Sequence, residues 1–309
     1  MARGSAFARA ALAGNPSDGY GGATLAVVVQ DFLAEVEAEP ATPEADPPAS
    51  RLVRATITRF ERELAPGAPP AVVRLRTSIP RAVGLGGSSA IVIATARALC
   101  ELHRVELHPD ELASFALAVE TEDLGIAAGL QDRVAQAYGG LTFMDFRDGI
   151  YESLDPALLP PLFVAWNVAA AGHSGLTHSN LRARFERQDA AVLAAMARLG
   201  NLARTARSAL LAGDAEAFGR CMDRSFDARR GMLALDDRHV AMIELARELG
   251  ASANYTGSGG AIVGCCRDEA HGAAVTAAFT DAGHHAIALA VRADWPESRN
   301  VARRVNPDT

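Results

Sequence analysis

The segment Pro80-Arg-Ala-Val-Gly-Leu-Gly-Gly-Ser-Ser-Ala90 constrains this chain more than any other. Glycines and serines run straight into Ile91-Val-Ile-Ala-Thr-Ala-Arg-Ala-Leu99, which holds good helix formers and no breaker. A glycine turn feeding a helix gathers unpaired backbone N–H groups and the positive end of a helix dipole at one point, and such a point binds phosphate. Glycines let the backbone approach the anion closely, and serine hydroxyls hold a phosphate oxygen or a metal ion. The functional reading is a nucleotide-phosphate site. The plain reading is a tight turn with a serine N-cap, and this segment alone does not separate the two.

Two other phosphate loops fit poorly. A Walker A loop needs Gly-x-x-x-x-Gly-Lys-Ser/Thr, and the chain has no lysine, so all 30 of its Lys and Arg residues are arginine. The dinucleotide fingerprint Gly-x-Gly-x-x-Gly is met by Gly84 and Gly86 but finds Ser89 at its third glycine. Without lysine, any grip on an anionic substrate is an arginine grip, suited to carboxylate and phosphate. The net charge of -7 argues against nucleic acid or an anionic membrane as the main partner. An anionic small-molecule substrate therefore needs a local arginine cluster set against the overall field. No segment has the length and apolarity of a membrane span or signal peptide, so a reducing cytoplasm is the default compartment. Cys100, Cys221, Cys265 and Cys266 form no C-x-x-C pair, and neither a zinc site nor a disulfide framework is expected.

The 309 residues are comfortable for two domains. Residues 23–37 read as extended and 38–50, rich in Pro, Ala and Glu, as a surface loop. Alternation predicts strands over 52–58 and 71–77. After the glycine turn and its helix, His108-Pro-Asp-Glu opens a helix through about Asp123. A further helix is expected over 127–137 and a strand over 141–146. Pro156, Pro160 and Pro161 mark a boundary, giving domains 1–155 and 156–309. The second half reads as strand 162–168, helices 179–212, 214–233 and 238–249, strand 261–266, helix 268–282 and strand 284–291. The class is α+β, β-rich first and helix-rich second.

Three glycine-containing segments carry the chemistry: Arg9-Ala-Ala-Leu-Ala-Gly-Asn-Pro-Ser-Asp18, the 80–90 loop, and Thr256-Gly-Ser-Gly-Gly260. Between the last two lie Glu120 and, twelve residues on, Asp132. In this order and spacing the motifs resemble those of the GHMP kinases, the superfamily of galactokinase, homoserine kinase, mevalonate kinase and phosphomevalonate kinase. Its central motif, Pro-x-x-x-Gly-Leu-Gly-Ser-Ser-Ala, is matched by Pro80–Ala90 with Gly87 in the first serine's place. A narrower similarity, to the glucuronokinase branch, rests on Phe7-Ala-Arg9, Gly14-Asn-Pro-Ser-Asp18, Gly129-Leu-Gln-Asp-Arg-Val-Ala-Gln136, Tyr138-Gly-Gly-Leu141, Leu158-Leu-Pro-Pro-Leu162 and Phe226-Asp-Ala-Arg-Arg230.

The resemblance implies a two-domain GHMP kinase fold, with a ribosomal-protein-S5-like N-terminal domain and a ferredoxin-like, helix-rich C-terminal one. It implies ATP and Mg2+ and a sugar 1-kinase acting on glucuronate. Other acceptors (galactose, a heptose phosphate, mevalonate) and a non-catalytic sugar sensor are the alternatives. Gly84, Leu85, Gly86, Gly87, Ser88, Ser89 and Ala90 would cradle the nucleotide phosphates. Ser88 and Glu120 would hold Mg2+, with Ser89 and Glu122 as close competitors. Asp132 and Arg9 match the catalytic pair. Asn15, Ser17, Asp18, Gly257, Gly259 and Gly260 would line the sugar site. Arg133 and Arg230 are taken for a substrate carboxylate, with Arg229 a further candidate.

Overall fold

The computed structural model describes residues 1–41, 48, 50–168, 175–291 and 303–304. Most of the loop expected over 38–50 therefore lies outside the described residues. Among the described residues, β1 (Ala2–Ala13) and β2 (Ala23–Pro40) form a long antiparallel pair. The C-terminal half of β2 pairs with β3 (Ala71–Thr77) and its N-terminal half with β4 (Leu141–Asp145), which in turn pairs with β5 (Ile150–Leu154). The chain then enters a second antiparallel sheet made of β6 (Leu162–Trp166), β7 (Ser252–Tyr255), β8 (Ala261–Cys265) and β9 (His285–Leu289), in the order β7-β8-β6-β9. A last short strand, β10 (Arg303–Arg304), returns to pair with β5.

The helices are α1 (Arg51–Glu63), α2 (Gly87–His103), α3 (Pro109–Ala118), α4 (Gln131–Tyr138), α5 (Gly175–Glu186), α6 (Ala190–Leu211), α7 (Ala215–Arg230), α8 (Asp237–Glu248) and α9 (Glu269–Asp281). The α2 helix packs on β1 and β2. It sits so close that a Cβ on Gly4 would fall 2.1 Å from the Ala94 carbonyl oxygen. That approach aims the N-terminus of α2 at the C-terminal half of β1. The α7 helix packs on β7 and reaches β1, so the two halves of the molecule meet where β1 ends.

Three sequence expectations are corrected. The strand expected over 52–58 is the first half of α1. Val53, Thr56, Arg59 and Phe60 are its buried positions, and that spacing is helical; the apparent alternation within seven residues was too short to distinguish the two periods. Ser50 caps the helix by accepting from the Val53 N–H. The helix expected over 179–212 is two helices, broken where Gln188 takes a φ of 59° and Asp189 caps α6 through the N–H groups of Ala191 and Val192. The helix expected from 127 starts at Gln131, which puts Asp132 in its first turn. Strands β1, β5, β7 and β10 were not foreseen.

Candidate active site

In the glycine-rich loop, Gly84 and Gly86 adopt φ values of 77° and 72°, a left-handed conformation that side chains resist. Gly86 is the N-cap of α2. The N–H groups of Gly87, Ser88 and Ser89 then head the helix without a backbone acceptor, while that of Ala90 donates to the Gly86 carbonyl at 3.0 Å. The structure divides the loop residues accordingly. Leu85 and Ala90 bury their side chains in the core, and Ala90 has no free donor to offer phosphate, contrary to expectation. The Ser89 hydroxyl is buried and donates to the Gly86 carbonyl at 3.0 Å. Ser88 is half-buried, and among the described residues its hydroxyl has no hydrogen-bond partner, which leaves it the loop's uncommitted hydroxyl.

Arg9, buried on β1, binds all three motifs together. Its Nε donates to Asp132 Oδ1 at 2.6 Å and its Nη2 to Oδ2 at 2.6 Å, a bidentate pair. Its Nη1 donates to the Gly84 carbonyl at 2.6 Å and the Thr256 carbonyl at 2.9 Å. Four of the five guanidinium N–H groups are thereby used. Arg9 is thus a positioning residue for Asp132 and for the loop, and only one N–H remains for any substrate atom. Asp132 keeps part of its side chain open and sits at the positive end of the α4 dipole, which favours its negative charge.

Glu120 is fully buried in a turn of π-helix, Val119–Asp123, that follows α3. Such turns displace one residue from the regular register. Its Oε2 accepts from both Nε and Nη2 of Arg133, and its Oε1 is buried with no partner. Glu122 and Asp123 instead face Arg59 of α1, at 2.8 and 2.9 Å, so Glu122 is not the buried carboxylate. The unpartnered carboxylate oxygen of Glu120 and the hydroxyl of Ser88 are oxygen donors of the kind a small hard cation takes beside water and phosphate oxygens.

Asp18 is half-buried beside Gly129, where a Cβ would fall 2.1 Å from its Oδ2. Burial, together with the negative charge of Asp132, pushes its carboxyl above the usual range, against hydrogen bonds from the backbone of Gln131 and Gly19. A raised folded-state value means the ionised form costs stability. That cost grows as pH rises above the ordinary carboxylate value near 4 and vanishes below it, where both states are protonated. Asp18→Asn is therefore expected to unfold at a higher temperature than the parent at pH 7–8, with the gap closing toward pH 4. Thermal melts across that range check it, and a gap independent of pH would contradict it.

Several residues expected at the substrate are committed elsewhere. Asn15 is buried and joins the two halves, donating to the Tyr255 carbonyl at 3.4 Å and accepting from Asn254 Nδ2 at 3.3 Å. The Ser17 hydroxyl, fully buried, closes its own loop on the Ala23 carbonyl at 3.0 Å. Arg133 is spent on Glu120 and on the Gly129 carbonyl at 2.8 Å. Arg230 lies on the outside of α7, paired with Glu244 at 3.1 Å. Gly257, Gly259 and Gly260 serve close packing rather than an open cleft: a Cβ on Gly257 would meet the Gly84 carbonyl oxygen at 2.5 Å, one on Gly259 His239 Nδ1 at 2.9 Å, and one on Gly260 Val83 Cα at 2.7 Å.

Two participants, Gln136 and Thr256, were not singled out as site residues, and a third, Arg229, was named only as a further candidate. Gln136 donates to the carbonyls of Phe7 and Gly86, at 2.8 and 2.9 Å, tying the loop to β1. The Thr256 hydroxyl donates to the Gly84 carbonyl at 3.0 Å. Arg229, next to the exposed Arg230, is buried. Its position on the inner face of α7 was available from the spacing Phe218, Met222, Phe226, Arg229.

The family model of the GHMP kinases N terminal domain matches residues 51–140, and that of the GHMP kinases C terminal matches residues 206–285. The chain is 35% identical to Glucuronokinase 1 of Arabidopsis thaliana over 84% of its length and 83% of the relative's. It is 34% identical to Probable glucuronokinase 2 of the same plant, with the same shares covered. The crystal structure of Lactococcus lactis galactokinase complexed with galactose superposes with a TM-score of 0.79 at 14% identity, over 98% of this chain and 95% of that one. With the three motifs converging on one buried arginine in a fold shared with such kinases, the chain belongs to the GHMP kinase family and is a sugar kinase within it.

Proposed function

We propose that the protein transfers the γ-phosphoryl group of ATP to the anomeric hydroxyl of D-glucuronate, with Mg2+, giving glucuronic acid 1-phosphate and ADP. The observation that carries the reading is the Arg9–Asp132 pair, held against the Gly84 carbonyl. It fixes a carboxylate beside a loop whose leading N–H groups are free. The similarity to two plant glucuronokinases supports the choice of sugar.

Phosphoryl transfer passes through a loose transition state, so catalysis consists mainly of positioning and charge stabilisation. The N–H groups of Gly87, Ser88 and Ser89 hold phosphate oxygens. Asp132, with both oxygens anchored by Arg9, orients the attacking O1 hydroxyl and receives its proton as the O1–P bond forms and the bond to the ADP oxygen breaks. Asp18, on the other side of Gly129, accepts hydrogen bonds from sugar hydroxyls. Ser88 and Glu120 would hold Mg2+, which when bound neutralises charge on the β- and γ-phosphates.

The test is an ADP-release assay over glucuronate, galactose, a heptose phosphate and mevalonate, with and without Mg2+. Mg2+-dependent turnover favouring glucuronate is the expected result, and turnover favouring a neutral sugar would refute it. In the same assay Ser88→Ala is expected to lose activity about tenfold or more, through a raised Mg2+ requirement. Ser89→Ala should leave that requirement unchanged and cost about 1 kcal/mol of stability, since it removes a hydrogen bond at the head of α2. Equal Mg2+ dependence of the two variants would remove Ser88 from the metal site.

A further inference from the structure

Among the described residues, Arg229 is a buried cation without a counter-ion. It is 3% exposed, and its Nε and Nη1 are buried with no hydrogen-bond partner. No carboxylate lies within 4.0 Å of it among the described residues. Its neighbour is the face of Tyr255, with the guanidinium carbon 5.2 Å from the ring centroid, and the Tyr255 hydroxyl is likewise buried and unpartnered. A stacked ring offers an arginine some electrostatic compensation, but it satisfies none of the N–H groups. Every other buried arginine around the site is spent: Arg9 on Asp132 and Arg133 on Glu120.

Its place is also specific. Arg229 lies close enough to the reaction centre for the charges of Arg9 and Asp18 to act on it. Burial, opposed by Tyr255 and aided by the charge of Arg9, holds its guanidinium down to about 10, so it is still a full cation near neutral pH. Buried charges are ordinarily paired, and an unpaired one is retained at a stability cost. The missing partner is therefore an anion brought from outside, and it must reach a point between α7, β7 and the Asp18 turn.

We infer that Arg229 receives the carboxylate of the phosphoryl acceptor on its guanidinium, and so selects an acidic acceptor over a neutral one. The inference rests on the proposed kinase reading and deepens it. Asp18 then takes hydroxyls and Arg229 takes the acid group, which separates the two recognition tasks. Charge complementarity alone does not distinguish the carboxylate of a sugar acid from that of mevalonate, so the assay includes both.

The experiment compares the parent enzyme with Arg229→Met and Arg229→Lys on glucuronate, glucuronamide, glucose and mevalonate, with thermal melts of each protein. For whichever carboxylate the parent uses, Arg229→Met is expected to lower kcat/KM about a hundredfold, chiefly through KM, as expected for lost charge-assisted hydrogen bonds. Turnover of the neutral amide or glucose should stay within about threefold. Arg229→Lys should fall between the two, because an ammonium cannot reproduce the planar fork. Without substrate, Arg229→Met should melt no lower than the parent, since it removes an uncompensated buried charge, and it should lose the melting-temperature rise that the carboxylate acceptor gives the parent.

A loss shared equally by charged and neutral acceptors would reduce Arg229 to packing and overturn the inference. So would unchanged use of the carboxylate in Arg229→Lys and Arg229→Met, or a parent enzyme that turns over only neutral acceptors. If the parent uses mevalonate and not glucuronate, the proposed substrate fails, and a hundredfold loss on mevalonate in Arg229→Met still supports the inference.

Discussion

Asp132→Asn is expected to reduce kcat by a hundredfold to ten-thousandfold, the range that a positioned proton acceptor commands. The amide is isosteric and keeps one oxygen for Arg9, so the chain should fold. Its NH2 group, however, would point at Arg9 Nη2, where a 2.6 Å hydrogen bond now stands. Two donors facing each other will cost stability as well, on the order of 1–3 kcal/mol. The two effects are separable. ADP release at saturating sugar and ATP reports the chemical step, and a melt reports the fold. Near-normal kcat in a folded Asp132→Asn protein would show that the carboxylate is only the anchor of Arg9. A fallen kcat with unchanged KM for both substrates would place the interaction in the transition state.

The second large effect is on the fold. Arg133→Met leaves the Glu120 carboxylate, fully buried, without the guanidinium that now binds its Oε2. Breaking one side of a buried pair costs about 3–5 kcal/mol, to be read as a lower urea midpoint. Replacing both partners, Glu120→Met with Arg133→Met, should recover most of that loss, since the uncompensated charge is gone. It should not recover activity, because the free Oε1 of Glu120 goes with it. An active double variant would remove Glu120 from the proposed metal site, and a single variant as stable as the parent would mean that Glu120 is not held charged in the interior.

These two pairs show how differently the site and its supports are encoded. Asp132, Arg9 and the loop could be found from linear motifs, because free N–H groups need glycines and a helix start that are adjacent in the chain. That Arg9 serves Asp132 could not be found that way. Their contact spans residues 9 and 132 and is made only when β1 lies beside α4. The same holds for Gly257, whose close neighbours are Gly84 and Arg9. A glycine motif indicates close approach but not to what.

The arginines sharpen the point. From the chain alone, Arg133, Arg229 and Arg230 were all candidates for a substrate anion. Arg133 was removed by Glu120, thirteen residues away and on another element. Arg230 and Arg229 were separable by helical spacing, because buried Phe218, Met222 and Phe226 set the inner face of α7 and position 229 shares it. Spacing could say that Arg229 points inward, yet not that no carboxylate waits for it there.

The glycine loop, the order of the three motifs and the two-domain α+β class were thus inherent in the amino-acid sequence, since each follows from contacts between near neighbours or from a motif order shared with relatives. Which charges are already paired, which hydroxyl of Ser88 and Ser89 is free, and which arginine is left for a ligand were decided by tertiary structure. Pairing is a property of groups brought together from distant parts of the chain, and burial turns an unpaired charge from an ordinary surface feature into a functional demand.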